Sequence, residues 1–222
     1  KKGTKSAVIE NDALTKIEKL LNEGKLSRGV ELNEFEKPIV KQLQLLTMKP
    51  ILYVLNKMGG GKNLDEMKDS RFDELMAFMK STNSNYVLVD AKIEEDLKDL
   101  EGKDKEEFRR ELVGKDPSTG LGASDGIDNL IKEGYKMLNL ITYFTTGEDE
   151  TRAWTILNGW TAPLAGTAIH NDFKDKFVRA EVIEWDKLIE AGSYAVAREK
   201  GWVRTEGKEY VVKDGDVIEF KI

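Results

Sequence analysis

Four runs within the stretch Asn139–Ile222 decide the fold of this chain. They are Thr151-Arg152-Ala153-Trp154-Thr155-Ile156, then Ala162-Pro163-Leu164-Ala165-Gly166-Thr167-Ala168-Ile169-His170-Asn171-Asp172-Phe173, then Phe177-Val178-Arg179-Ala180-Glu181-Val182, and finally Glu206 to Phe220. Trp154, Ile156, Tyr210, Val212, Val217 and Phe220 stand in short β-rich runs separated by turn residues. Asp214-Gly215 is a hairpin signal, because glycine tolerates the positive φ of a tight turn. Between the strands Asp186 is the expected N-cap of a helix, whose apolar stripe Leu188, Ile189, Ala195 and Val196 ends near Gly201. Strands folded over one helix predict a small α+β domain of β-grasp, ubiquitin-like shape over 139–222.

The same runs resemble a known family. Arg152-Ala153-Trp154-Thr155-Ile156 and Ile169-His170-Asn171-Asp172-Phe173 are uncommon strings, and with their surroundings they look like the TGS domain that closes the YchF/Obg-like ATPases, a branch of the Obg group of P-loop NTPases. The resemblance covers nearly all of 139–222. From about Asn11 the whole chain looks like the C-terminal part of such an ATPase.

Composition narrows the classes of function. The 222 residues suffice for one large or two small domains. No apolar run approaches the roughly 20 residues of a membrane span, and no secretory signal is visible. The absence of Cys removes disulfides, thiolate chemistry and Cys-based zinc sites, and fits a reducing cytoplasm. A single His leaves no multi-His metal site. Net charge is −6, from 41 acidic and 35 basic residues, which argues against nonspecific polyanion binding by the whole surface, so DNA is not an expected partner. The chain begins with Lys1 rather than Met, and a Met before Lys is not normally trimmed; it is expected to be part of something longer.

Ahead of the C-terminal stretch, three Lys and one Gly in residues 1–9 read as a lead-in. From Asn11 or Asp12, Leu14, Ile17, Leu20 and Leu21 fall at helical spacing before Gly24. Asn33 and Glu36 have the spacing of a capping box, and Phe35, Ile39, Leu43 and Leu46 then make an apolar stripe, with Pro38 tolerated in its first turns. Ile51-Leu52-Tyr53-Val54-Leu55 and Tyr86-Val87-Leu88-Val89 read as buried strands. A helix with Phe72, Leu75, Met76 and Met79 on one face separates them. That alternation is an α/β pattern, although two strands make too small a sheet to bury both faces well. Lys103–Leu112 is a charge-rich helix, 115–125 a loop, and a further helix starts at Gly126. The divisions expected are 1–48 (helical), 49–138 (α/β) and 139–222 (β-grasp). The resemblance implies that 1–48 is the remnant of a helical insertion with its connecting helix, and that 49–138 is the last part of a P-loop NTPase domain.

Chemistry concentrates after the first strand, at Asn56-Lys57-Met58-Gly59-Gly60-Gly61-Lys62-Asn63. A glycine-rich turn between strand and helix suits a phosphate. The spacing G-x-x-x-x-G-K-[ST] fails, since Asn56 stands where Gly is needed and Asn63 where Ser or Thr is needed. Base recognition is the other reading. GTPase-like domains place Asn-Lys-x-Asp here, and the resembled family uses Asn-x-x-Glu to favour adenine. Asn56 matches the Asn, whereas Gly59 replaces the acid, so the resemblance leaves ATP against GTP open. Asp90-Ala91-Lys92 resembles the family's Ser/Cys-Ala-Lys loop at the purine, with Asp90 departing from the small residue usual there. The expected base-binding residues are therefore Asn56, Lys57, Met58, Asp90, Ala91 and Lys92.

Other candidates read more blandly. His170 has Asp172 nearby but no serine constellation, so a hydrogen-bonding role is expected. Trp154, Trp160, Trp185 and Trp202 are candidate stacking platforms for bases, but three of the four lie in or beside apolar strand or helix-end runs, so core or edge packing is expected. Lys174, Lys176 and Arg179 form a compact basic group in a domain of 11 basic and 15 acidic residues. They are candidates for contact with RNA or protein. No catalytic residue and no metal ligand is assigned. The resemblance implies a parent protein that binds and hydrolyses ATP (or GTP) with Mg2+, associates with the ribosome (rRNA or ribosomal protein) through its TGS domain, and works in the cytoplasm. It places the phosphate-binding loop upstream of residue 1, so this chain alone is expected to be inactive as an ATPase. The competing expectation is a standalone, non-catalytic TGS-type interaction module without nucleotide hydrolysis.

Overall fold

The computed structural model describes residues 5–58, 62–113, 126–147 and 150–222. In chain order the elements are α1 (Lys5–Asn22), α2 (Glu36–Gln42), β1 (Leu52–Asn56), α3 (Ser70–Ser81), β2 (Asn85–Val89), α4 (Ala91–Leu97), α5 (Gly102–Val113), α6 (Gly126–Met137), β3 (Leu140–Thr146), β4 (Thr151–Leu157), α7 (Ala162–Gly166), α8 (Asp172–Lys176), β5 (Arg179–Glu184), α9 (Trp185–Ala191), α10 (Tyr194–Glu199), β6 (Arg204–Glu206) and β7 (Asp216–Lys221). It is a mixed α/β chain. Lys1–Tyr53 with Glu74–Asn85 form one compact unit, and Val54–Asp73 with Tyr86–Ile222 form another.

In the first unit Ala13 and Ile17 of α1 bury themselves against Val40 of α2, with Val30, Leu32, Leu45 and Met48 packed around them. The capping box is present in full. Asn33 Oδ1 accepts from the Glu36 N–H at 3.0 Å, and Glu36 Oε2 accepts from the Asn33 N–H at 2.9 Å. Glu36 also meets Lys16 Nζ at 2.8 Å, and the Lys16 hydrogen bond followed by the Asn33 N–H holds its carboxyl below the usual range. Arg28 ties the end of α3 to this unit, donating to Ser84 Oγ at 2.7 Å. Two expectations fail here. The helix starts at Lys5, so half of the expected lead-in is helical. Of the stripe Phe35, Ile39, Leu43 and Leu46, Ile39 is half-buried and the other three lie exposed, and the residues that α2 buries are Glu36 and Val40. Helical spacing shows that a stripe exists; the neighbour on which it packs decides which side is dry.

β1 and β2 form a two-stranded sheet. Val87 and Val89 are buried, whereas Val54 is exposed, so the expectation of a fully buried first strand is corrected. A two-stranded sheet has too little neighbouring surface to cover both faces. The loop expected over 115–125 lies outside the described residues.

The second sheet has the order β4-β3-β7-β5-β6. β3 and β4 are antiparallel, with Tyr143 opposite Trp154; β7 enters parallel to β3 at Phe144–Val217; β5 lies antiparallel to β7 and to β6. Alternation along the strands gives the sheet two apolar faces. On one, Tyr143, Ile156, Val182 and Ile218 pack with Ala162, Ala165 and Phe177, and the Tyr143 hydroxyl donates to the Ala165 carbonyl at 3.0 Å. On the other, Ile183 and Val217 pack with Ala197, Phe144, Leu188 and Trp202.

The structure corrects the sequence reading of this sheet in two places. The expected single helix is α9 followed by α10. Gly192 closes α9 in the left-handed region at φ 74°, and Ser193 opens α10 by accepting from the Val196 N–H. Asp186 sits inside the first turn of α9 rather than capping it, because Glu184 is the N-cap residue. Nor does Asp214-Gly215 join two paired strands: the neighbours of β7 are β3 and β5, Tyr210 and Val212 lie outside the strands, and Val211 makes only an isolated bridge to Thr161. The turn is built by long-range bonds instead. The Gly215 N–H donates to the Thr142 carbonyl at 2.8 Å, Asp214 Oδ1 accepts from the Thr142 N–H at 2.8 Å, and buried Asp216 accepts from the Lys213 N–H and the Tyr210 hydroxyl.

Candidate functional site

The C-terminal ends of β1 and β2 bring the two sequence-predicted loops together. Asn56 ends β1, and its Oδ1 accepts from the Ala91 N–H at 3.0 Å, across 35 positions of chain. Beside it the Lys57 N–H donates to the Val89 carbonyl at 2.7 Å. Each such bond contributes about 0.5–1.5 kcal/mol net, so the pair fixes the spacing of the loops more than it stabilises the fold.

Asp90 is the N-cap of α4, accepting from the Lys92 and Ile93 N–H groups at 3.1 Å each. Its departure from a small residue thus has a local use in starting the helix. Lys92 extends along α4 to Asp96 Oδ1 at 2.5 Å, and that hydrogen bond raises its pKa. The Met58 N–H donates to Asn63 Oδ1 at 2.9 Å, while Asn63 Nδ2 returns to the Met58 carbonyl at 3.2 Å. The Met58 side chain is exposed. Gly59, where the expected acid is missing, lies outside the described residues.

Two residues that sequence reasoning passed over belong to this cluster. Asp65 Oδ2 lies 3.0 Å and Glu66 Oε1 2.5 Å from Lys57 Nζ. Burial pulls the Lys57 pKa down, but Glu66 and Asp65 outweigh it and hold it above its ordinary value. Glu66 in turn is lowered, by Lys57 first. The signal available in the sequence was only a pair of acids eight and nine residues after a lysine, with nothing to show that the acids meet it.

The remaining candidates are more ordinary. His170 is exposed, and its Nδ1 accepts from the Asp172 N–H at 3.2 Å. Lys176 pairs with Asp172 at 2.5 Å. Arg179 lies opposite Lys221 in the β5–β7 register, and Lys174 shares α8 with Lys176. Trp154 and Trp160 pack against one core face and Trp202 against the other. Among the described residues no group of three or more His, Cys, Asp or Glu is placed to hold a metal ion, and no helix is long and apolar enough to cross a membrane.

A mixed α/β chain with a five-stranded mixed sheet, and two strand-end loops joined by an asparagine, is the class that these observations define. Comparison with known proteins gives the family. The family model YchF-GTPase_C (protein of unknown function, DUF933) matches residues 140–222. The chain is 43% identical over its whole length to the ribosome-binding ATPase YchF of Bacillus subtilis, of which it covers 58%. It is 37% identical to the protein of the same name in Haemophilus ducreyi, again covering 58% of it. The solved structure of the Schizosaccharomyces pombe YchF GTPase superposes with a TM-score of 0.76 at 30% identity, over 96% of this chain and 54% of that one. Residues 140–222 thus match the C-terminal family model of YchF, the chain is similar along its whole length to YchF proteins, and it spans rather less than three fifths of the length of these curated relatives.

Proposed function

We propose that this chain is the base-recognition and interaction part of a cytoplasmic, ribosome-associated P-loop ATPase that binds ATP or GTP with Mg2+. In this reading 1–48 is the remnant of a helical insertion, 49–138 the last part of the nucleotide domain, and 139–222 a TGS domain of β-grasp form. The strand order β4-β3-β7-β5-β6, with its parallel central pair, supports the β-grasp assignment. Asn56, Lys57, Met58, Asp90, Ala91 and Lys92 line the base, and Lys174, Lys176 and Arg179 face the ribosomal partner. The observation that supports the nucleotide reading is the Asn56–Ala91 bond, which ties the two strand-end loops together.

The described residues suit the base side of a nucleotide. In this reading phosphate and metal are held by residues other than these, and no hydrolytic step is routed through them. Support for a ribosomal partner comes from the relatives' name, ribosome-binding ATPase.

Titration of the purified chain with ATP and with GTP tests the reading. Saturable binding is expected, and Asn56→Ala should weaken it about tenfold by unlinking the loops, a change worth about 1.4 kcal/mol. No binding of either nucleotide would refute base recognition by this chain and favour the non-catalytic interaction module.

A further inference from the structure

β4 is the outer strand of the five-stranded sheet, paired with β3 on one side only. The β3–β4 register runs unbroken from Leu140–Leu157 to Thr146–Thr151. Just beyond its ends the Asn158 N–H donates to the Asn139 carbonyl at 2.8 Å, and the Gly147 N–H to the Glu150 carbonyl at 2.9 Å. Bonded pairs recur at every second residue of an antiparallel ladder. Arg152, Trp154 and Ile156 therefore bond inward to β3, and Thr151, Ala153 and Thr155 turn their N–H and C=O groups outward. No hydrogen bond from another described group reaches those outward atoms.

An open edge of this kind is a template for another strand unless something guards it. The usual guards are absent here: Thr151–Leu157 holds no Pro, no Lys and no bulge, and Arg152 is its one charge. The side chains differ between the two faces. Thr151, Ala153, Thr155 and Leu157 are exposed on one of them. There the Tyr135 hydroxyl of α6 lies 3.1 Å from Thr155 Oγ1, and Tyr135, Leu138 and Leu157 are 37%, 53% and 43% exposed. On the other face exposed Arg152 lies over the Trp154 ring, 4.2 Å from its centroid, and pairs with no carboxylate among the described residues. Glu150, two residues before it, is exposed as well.

We propose that the outer edge of β4 binds an extended peptide segment of another protein as an added antiparallel strand. Main-chain bonds to Thr151, Ala153 and Thr155 hold the segment, and its alternate side chains give selectivity. On one face its apolar residues pack against Tyr135, Leu138 and Leu157. On the other it carries an acid opposite Arg152 and, two residues later, a base opposite Glu150. Charge argues against a second copy of β4 as the occupant. A two-fold pairing that overlaps the whole strand sets Arg152 opposite Ile156, and the register that matches Arg152 to Glu150 overlaps only the start of the strand.

The test is fluorescence anisotropy of the full chain with a short fluorescein-labelled peptide. The peptide alternates Val with polar residues, and among the latter a Glu precedes a Lys by two positions. Saturable binding is expected. N-methylation at the Val positions, whose amides face β4, should weaken it about tenfold or more through lost main-chain bonds. N-methylation at the Glu and Lys positions, whose amides face solvent, should leave it unchanged. Ala153→Pro removes an outward N–H without touching the bonds to β3; it should weaken binding about fivefold while Tm moves by no more than about 3 °C. Arg152→Glu should weaken binding about fivefold, and a peptide with Lys in place of Glu should restore it. Equal weakening by both methylation patterns, or by neither, would overturn the proposal, as would failure of the unaltered chain to bind the peptide. A dimer in sedimentation equilibrium that Ala153→Pro dissociates would assign the edge to a second copy and overturn it too.

Discussion

Gly215 is the position where a single methyl group should have the clearest effect. Its φ of 82° lies in the left-handed region, which costs an L-residue about 1–2 kcal/mol. A Cβ there would lie 2.6 Å from Trp185 Cδ1 and 3.1 Å from its Nε1. Overpacking of that kind costs about 1–3 kcal/mol, and the lower part of the range applies because Trp185 is 52% exposed and can swing outward. Gly215→Ala is therefore expected to destabilise the sheet unit by about 2–3 kcal/mol, the sum of backbone strain and displaced ring. All four Trp of the chain lie at 154, 160, 185 and 202, so urea unfolding followed by tryptophan fluorescence reads this unit. In a Trp185→Ala background the clash is gone, and the same substitution should cost only the backbone part, leaving a coupling of about 1 kcal/mol between the two sites. An equal cost in both backgrounds, or a cost below about 0.5 kcal/mol, would refute the reasoning.

Three further outcomes are expected. Gly166→Ala should destabilise by about 1–3 kcal/mol from overpacking alone, because its Cβ would meet Phe173 Cβ at 2.6 Å between α7 and α8; chemical denaturation checks it, and a neutral effect would mean that the two short helices separate freely. Stability should fall at both extremes of pH, as read by thermal melts: Glu36, lowered from 4.5, contributes stability that is present above that value and lost as pH falls. Tyr194, raised from 10.0 to about 12 by burial and then by Glu219, contributes stability that is complete below pH 10.0 and lost as pH rises through about 12. Since its buried hydroxyl has no hydrogen-bond partner among the described residues, Tyr194→Phe should remove part of the alkaline loss without destabilising at neutral pH. Replacing Lys174, Lys176 and Arg179 with Glu should reduce co-sedimentation with ribosomes about tenfold and flatten its salt dependence; unchanged sedimentation would move the contact elsewhere.

Several features were legible from residue types because their causes are local. The Asn33–Glu36 capping box needs only a three-residue spacing, and the stripe around Met79 only helical periodicity. The Asn56 and Ala91 loops were legible through resemblance, since nothing in their local pattern says that residues 35 apart share a bond. Lys57 with Asp65 and Glu66 was not legible, because an ion pair depends on where the chain returns. The direction of the stripe Phe35, Leu43 and Leu46 was misjudged for a related reason: periodicity orders a face without naming what covers it.

By itself the sequence determined the mixed α/β class, the resemblance to YchF proteins and the positions of the short apolar runs, which follow from propensity, alternation and rare strings of residues. Tertiary structure alone decided that Asp214-Gly215 is a turn anchored on Thr142 rather than a hairpin, that Gly192 and Ser193 divide one helical stripe into two helices, and that two unremarked acids close on Lys57. Each of those outcomes depends on a hydrogen bond, a backbone angle or a charge whose partner is set by the path of the whole chain.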